Sequence, residues 1–126
     1  VTVLVNSSGA NLSIGSTASV VNQGTIRADG SGKNLTITGS GALTNQNLIE
    51  ATNSGLITVN LTGGTSVFTN APGATVQSTA SGAISLSAGT VTNNGAYTIN
   101  NAAFTLGGTY SAFGTVNRTG GTFTLR

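Results

Sequence analysis

The chain has no cysteine, histidine, methionine or tryptophan, a single proline, and only six charged side chains among 126 residues. Without cysteine there is neither a disulfide framework nor a thiolate metal site. Without histidine, and with Asp29 and Glu50 as the only side-chain carboxylates, no general acid–base pair can be assembled, no hydroxyl is given an activating base, and no cluster exists to hold a hard cation. The expectation is a non-enzymatic protein with no cofactor and no metal. The four cations, Arg27, Lys33, Arg118 and Arg126, give a net charge of +2 but are scattered, so nucleic-acid binding has no basic patch to rest on. No apolar run approaches the roughly 18 residues of a membrane helix, so the chain is read as not membrane-spanning. Val1 opens directly into the repeat pattern, without a basic or apolar leader; for an exported protein the signal is then removed or lies outside this stretch.

What is present is glycine (19 residues) together with many threonines, serines and asparagines, a polar surface of low charge. Disorder is the first reading of such a composition. It is set aside because the apolar residues are Leu, Val, Ile and Phe recurring on a clock. Asparagine follows a short apolar-Thr stretch at Val20-Val21-Asn22, Leu43-Thr44-Asn45, Phe68-Thr69-Asn70, Val91-Thr92-Asn93 and, less cleanly, Thr115-Val116-Asn117, at spacings of 23, 25, 23 and 24. After each asparagine comes a strand-like step, such as Thr25-Ile26-Arg27-Ala28 or Leu48-Ile49-Glu50-Ala51. Later in each unit comes a second alternating strand: Leu12/Ile14, Leu35/Ile37, Val59/Leu61, Ile84/Leu86, Phe104/Leu106 and Phe123/Leu125. Gly15, Gly39, Gly63, Gly89 and Gly107 close those strands.

Alternation with period two is the mark of a half-buried strand, and no stretch carries the 3.6-residue helical period. Units this short leave no room for crossover helices. The pattern predicts an all-β, right-handed parallel β-helix (β-solenoid) with about 23–25 residues per coil in five to six coils, residues 1–126 forming one segment whose coils share a core. An antiparallel sandwich or barrel is the competing architecture, disfavoured because it has no need for rows repeating at one length. Two rows test the register. Asn22, Asn45, Asn70, Asn93 and Asn117 should form a structural ladder in a tight turn, where asparagine tolerates left-handed geometry and amides bond from coil to coil. Arg27 and Glu50 should stand next to each other on an outward row, followed by Gln77 and Asn100. The register after Leu106 is irregular. Pro72 marks a turn between strands.

The phrases Asn-Gln-Gly-Thr-Ile (residues 22–26), Asn-Gln-Asn-Leu-Ile-Glu-Ala (45–51) and Thr-Asn-Asn-Gly-Ala-Tyr-Thr-Ile (92–99) resemble repeats of bacterial filamentous-haemagglutinin-like and autotransporter passenger proteins. The resemblance implies a β-helix displayed at or released from a bacterial cell surface, acting as an adhesin, stalk or matrix fibre. Neither end of the repeat pattern carries a charged or helical cap, which leads to the expectation of self-association, either with adjoining coils of a longer solenoid or end to end between copies.

Other motifs reduce to turn chemistry. Asp29-Gly30-Ser31-Gly32-Lys33 lacks the first glycine and the final Ser/Thr of a phosphate loop. The five Asn-x-Ser/Thr triplets, at Asn6, Asn11, Asn34, Asn60 and Asn117, are close to the number that composition alone produces. The alternative ligand-binding expectation is an outward row of Thr36, Thr58, Ser85, Thr105 and Thr124, a hydroxyl-methyl array that would bind ice or a glycan.

Overall fold

The computed structural model describes residues 3–5, 10–14 and 18–126; Asn6 and Gly15 lie outside the described residues. Among the described residues there is no helix, and every strand pairs in parallel. The first sheet stacks β1 (Val3–Val5), β4 (Thr25–Asp29), β7 (Leu48–Thr52), β10 (Thr75–Thr79), β12 (Ala96–Asn100) and β14 (Thr115–Thr119) in that order. The second contains β2 (Ala10–Ile14), β5 (Asn34–Gly39), β8 (Leu56–Leu61), β11 (Ala83–Asn93), β13 (Ala103–Ala112) and β15 (Thr122–Leu125), and turns a corner to include β3 (Ser19–Asn22), β6 (Ala42–Asn45) and β9 (Val67–Asn70). Strands β11 and β13 run through that corner, with register shifts between Ala88 and Thr90 and between Val91 and Thr92. The chain is a β-solenoid of about five turns, with β14 and β15 beginning a sixth coil.

The core is a set of columns, one residue per coil. Ile26, Ile49, Val76 and Tyr97 form one column of the first sheet, and Ala28, Ala51, Ser78 and Ile99 the next. Leu35, Ile57, Ile84 and Phe104 face them from the second sheet, beside Ile37, Val59, Leu86 and Leu106. Leu43, Phe68 and Val91 close the third side. All of these are buried, and each large apolar side chain removed from water is worth about 1.5–3 kcal/mol. The one polar member, Ser78, is satisfied: its hydroxyl sits 2.8 Å from the Gly82 carbonyl and 2.9 Å from that of Ala103.

Coil length is not uniform, and several details of register differ from the spacing of the sequence for that reason. Ile26 to Ile49 is 23 residues, Ile49 to Val76 is 27, Val76 to Tyr97 is 21 and Tyr97 to Val116 is 19. The strands keep their stacking while the corners absorb the difference. The chain takes nine residues from Val59 to Phe68, five from Leu86 to Val91 and four from Leu106 to Tyr110, so the solenoid narrows in its last coils. The Ala71-Pro72-Gly73 turn, with Gly73 at φ +80° and the Ala74 amide bonded to the Ala71 carbonyl, makes the path from Asn70 to Thr75 two residues longer than that from Asn93 to Ala96. Gln77 therefore aligns with Thr98, and Asn100 stands beside Thr79 instead. The expected glycine row is likewise broken: Gly39 lies within β5 opposite Leu61, and Gly107 opposite Ser87.

Buried Tyr97 packs against Phe104 with ring centroids 5.0 Å apart, and its hydroxyl has no hydrogen-bond partner among the described residues. Burial, with a smaller contribution from Tyr110, pushes this phenol far above its ordinary range. An unpaired buried hydroxyl costs stability without return. Tyr97→Phe is expected to stabilise the fold by about 1 kcal/mol, read as a raised midpoint in thermal unfolding; a lowered midpoint would mean that the hydroxyl has a partner.

Candidate functional site: the asparagine ladder and the threonine face

The site with the most ordered chemistry is internal. Strands β3, β6, β9 and β11 end on Asn22, Asn45, Asn70 and Asn93, which lie in register and are at most 1% exposed. Asn22 Nδ2 donates to Asn45 Oδ1, Asn45 Nδ2 to Asn70 Oδ1, and Asn70 Nδ2 to Asn93 Oδ1, each at 2.8 Å. The same Nδ2 groups also donate across the corner to strand carbonyls of the next coil: Leu48 at 2.9 Å, Thr75 at 3.0 Å and Ala96 at 3.2 Å. Each of these amides thus ties two coils together and two strands within the turn of the helix.

The direction of the ladder is fixed locally. The backbone N–H groups of Gly24, Asn47 and Gly95, each two residues on, donate to Oδ1 of Asn22, Asn45 and Asn93 at 3.2, 3.4 and 3.2 Å, which identifies oxygen against nitrogen in each amide. Asn70 lacks this contact because the residue two on is Pro72, which has no N–H. Two corrections follow. None of the four ladder asparagines has a positive φ; among the described residues the left-handed non-glycine positions are Asn53, Ser54, Ala80, Ser81 and Asn101, at the corner between the first and second strands of a coil. Nor does Asn117 belong to the ladder. It lies in β14 opposite Thr98 and is exposed, because the fifth coil is shorter than the sequence clock assumes. The ladder position there falls to Phe113, whose carbonyl accepts from Asn93 Nδ2 at 2.5 Å.

The outward row of the second sheet is in continuous register: Thr36 beside Thr58, Thr58 beside Ser85, Ser85 beside Thr105, and Thr105 beside Thr124. It is flanked by Asn34, Leu56, Ala83, Ala103 and Thr122 on one side and by Thr38, Asn60, Ser87 and Gly107 on the other, so the hydroxyls form one file and not a two-dimensional lattice. A second hydroxyl file, Thr44, Thr69, Thr92 and Ser111, runs along the third face. Its signal in the sequence is the threonine before Asn45, Asn70 and Asn93; Val21 holds that place before Asn22.

No protein-family model, curated protein or solved structure matches this chain. The likeness to haemagglutinin-type and autotransporter passengers accordingly rests on the β-solenoid architecture and the repeat phrases alone.

The charged side chains are placed as structural elements. Arg27 stands beside Glu50, Nη2 to Oε2 at 2.5 Å, and Gln77 Nε2 donates to Glu50 Oε1 at 2.5 Å from the other side. Glu50 is sandwiched between them at 6% exposure. Asp29 accepts from Asn53 Nδ2 at 2.8 Å. In the Asp29–Lys33 segment Gly30 and Gly32 have φ of +113° and +73°, and the Lys33 amide bonds to the Gly30 carbonyl at 3.0 Å, as a turn requires. Tyr110 packs on Phe113 at 5.0 Å, and its hydroxyl lies 2.8 Å from both the Leu106 and Arg126 carbonyls. Tyr110 therefore closes the narrow coils. No helix among the described residues is long and apolar enough to cross a membrane.

Proposed function

We propose that this chain is a structural and adhesive β-solenoid of an extracellular bacterial surface fibre, giving reach, cohesion or display, and that it performs no catalysis. The observation that carries the reading is the asparagine ladder. Its polar chemistry is turned inward and spent on joining coil to coil, while the lateral faces carry mainly Thr, Ser, Asn and small residues. A stack of coils is a stiff element whose stability comes from nearest-neighbour contacts. The partners this reading implies are further β-coils, from adjoining segments or from copies of the chain, and the glycans or host surface at which a fibre would be displayed. Antibody raised against the purified chain is expected to label the outside of intact cells of the source organism. Label confined to the cell interior would end this proposal.

A second reading, that the Thr36–Thr124 file binds ice or a glycan, is favoured by its unbroken register across five coils. The single file and its Leu56 and Asn60 neighbours weigh against it. On the structural reading, Thr58→Lys changes stability by no more than about 0.5 kcal/mol, and the wild-type chain shows neither thermal hysteresis nor a glycan-array signal. A signal abolished by Thr58→Lys would establish the second reading.

A further inference from the structure

We propose that Asn94-Gly95 is a modification site at which the chain deamidates to aspartate and isoaspartate with water as co-reactant, and that Asn93 of the asparagine ladder keeps this site closed while the coil is folded. Asn94-Gly95 is the only Asn-Gly pair in the sequence. It forms the corner between β11 and β12, and Asn94 is exposed. Glycine has no Cβ to shield its nitrogen, so the Gly95 nitrogen is the least hindered backbone nucleophile that follows an asparagine in this chain. In the reaction this nitrogen gives up its proton and attacks Asn94 Cγ. An N–Cγ bond forms, the Cγ–Nδ2 bond breaks, and the side-chain nitrogen leaves as ammonia with the proton returned to it. Water then opens the resulting succinimide at Cγ, which leaves aspartate, or at the main-chain carbonyl, which leaves isoaspartate; nothing is oxidised or reduced.

The packing both requires the glycine and blocks the reaction. A Cβ on residue 95 would stand 2.3 Å from the Ala74 carbonyl oxygen, 2.5 Å from that of Ala71 and 2.8 Å from Asn70 Nδ2, so no larger residue fits against the preceding coil. The Gly95 N–H, whose proton has to leave, donates to Asn93 Oδ1 at 3.2 Å, the same oxygen that accepts the ladder bond from Asn70. On either side the Asn94 and Ala96 amides are bonded to the Asn70 and Ala74 carbonyls at 2.8 and 3.0 Å. A main chain pinned at three successive amides cannot turn its nitrogen onto the Asn94 side chain without a local opening. Isoaspartate, once formed, adds a carbon to the main chain at the point of closest contact, so β12 can no longer stack on β10 as before and the corner stays open. None of this depends on where the protein is displayed.

The test follows the full chain, folded and in denaturant, at mildly alkaline pH, with deamidation located by peptide mass mapping and exchange of the Gly95 amide hydrogen read on the same folded sample. In denaturant, Asn94 is expected to be modified before any other asparagine, to a mixture of isoaspartate and aspartate, and Asn94→Gln is expected to lose that early product. In the folded wild type the reaction is expected to be at least about tenfold slower, since several backbone hydrogen bonds must open first. The slowing should track the protection of the Gly95 amide, because both processes need the same N–H freed. Asn93→Ala is expected to raise the folded rate towards the unfolded one, whereas Asn22→Ala, at the far end of the ladder, leaves it near wild type. Equal rates in the folded and unfolded wild type, or earlier modification of another asparagine in denaturant, would overturn the proposal, and neither readout depends on a variant that folds. A folded Asn93→Ala protein that reacts no faster than wild type would overturn Asn93 as the residue that closes the site.

Discussion

Asn45→Asp is expected to cost about 3–5 kcal/mol at neutral pH, the range for a charge left buried without a partner, and to cost less in acid. Asn45 is fully buried, accepts from Asn22 Nδ2 and donates to Asn70 Oδ1 and to the Thr75 carbonyl. A carboxylate keeps the acceptor role but turns these donations, and the one to the Asn47 carbonyl, into oxygen–oxygen contacts. Asn70 Oδ1 suffers most, because Pro72 gives it no backbone donor and Asn45 is the amide that serves it. The protonated acid restores one donor. Its pKa in the folded state must therefore lie above the unfolded value of about 3.9. The sign follows from linkage: the variant is closest to wild type below that unfolded pKa and loses stability as pH rises through and beyond it. Thermal unfolding of Asn45→Asp and wild type at about pH 3 and about pH 7 checks this. An equal deficit at both would mean that the amide hydrogens do not hold the coils together.

Gly82→Ala is expected to destabilise by about 3 kcal/mol, the upper part of the range for forcing atoms into filled space. A Cβ at Gly82 would stand 2.3 Å from the Ala51 carbonyl oxygen and 2.5 Å from its carbon, and backbone cannot step aside as a side chain can. Gly55, one coil earlier, is built the same way, 2.2 Å from the Ala28 oxygen. These glycines let the corner of one coil rest directly on the strand end of the coil before it. The Gly82 carbonyl meanwhile accepts from the Ala103 amide and the Ser78 hydroxyl. The left-handed region is not involved, since Gly82 does not have a positive φ. Gly64→Ala is the control: nothing lies within 4 Å of its Cβ position, and the substitution is expected to be neutral or to stabilise by about 0.4–1 kcal/mol through the unfolded chain. If Gly82→Ala and Gly64→Ala unfold alike, the coils are not in the contact described.

The architecture was legible because it is written in two periods at once. Alternation such as Leu35-Thr36-Ile37-Thr38 sets the inward and outward faces of a strand, and the return of Asn22, Asn45 and Asn70 sets the coil. The Arg27–Glu50 contact followed directly, since no corner of unusual length separates them. Gln77 and Asn100 did not, because counting residues assumes equal corners and the Ala71–Gly73 turn is longer than its counterpart at Asn94–Gly95. The same assumption placed Asn117 on the ladder when the narrowing of the last coils had moved that position to Phe113. Corner length depends on tertiary closure and leaves little trace in a single sequence. The pairing of Arg118 with Ile99 was hidden for the same reason, as only the register of β14 on β12 reveals it.

Strands distant by about one coil in sequence lie side by side in parallel. Nuclear Overhauser contacts from the backbone of Thr58 in an isotope-labelled sample test it most directly. The solenoid predicts that Thr58 contacts both Thr36 and Ser85, its partners on either side, with the pattern of parallel strands. Contacts instead to the sequence-adjacent strand β7 in an antiparallel pattern would make the chain a sandwich and contradict the account.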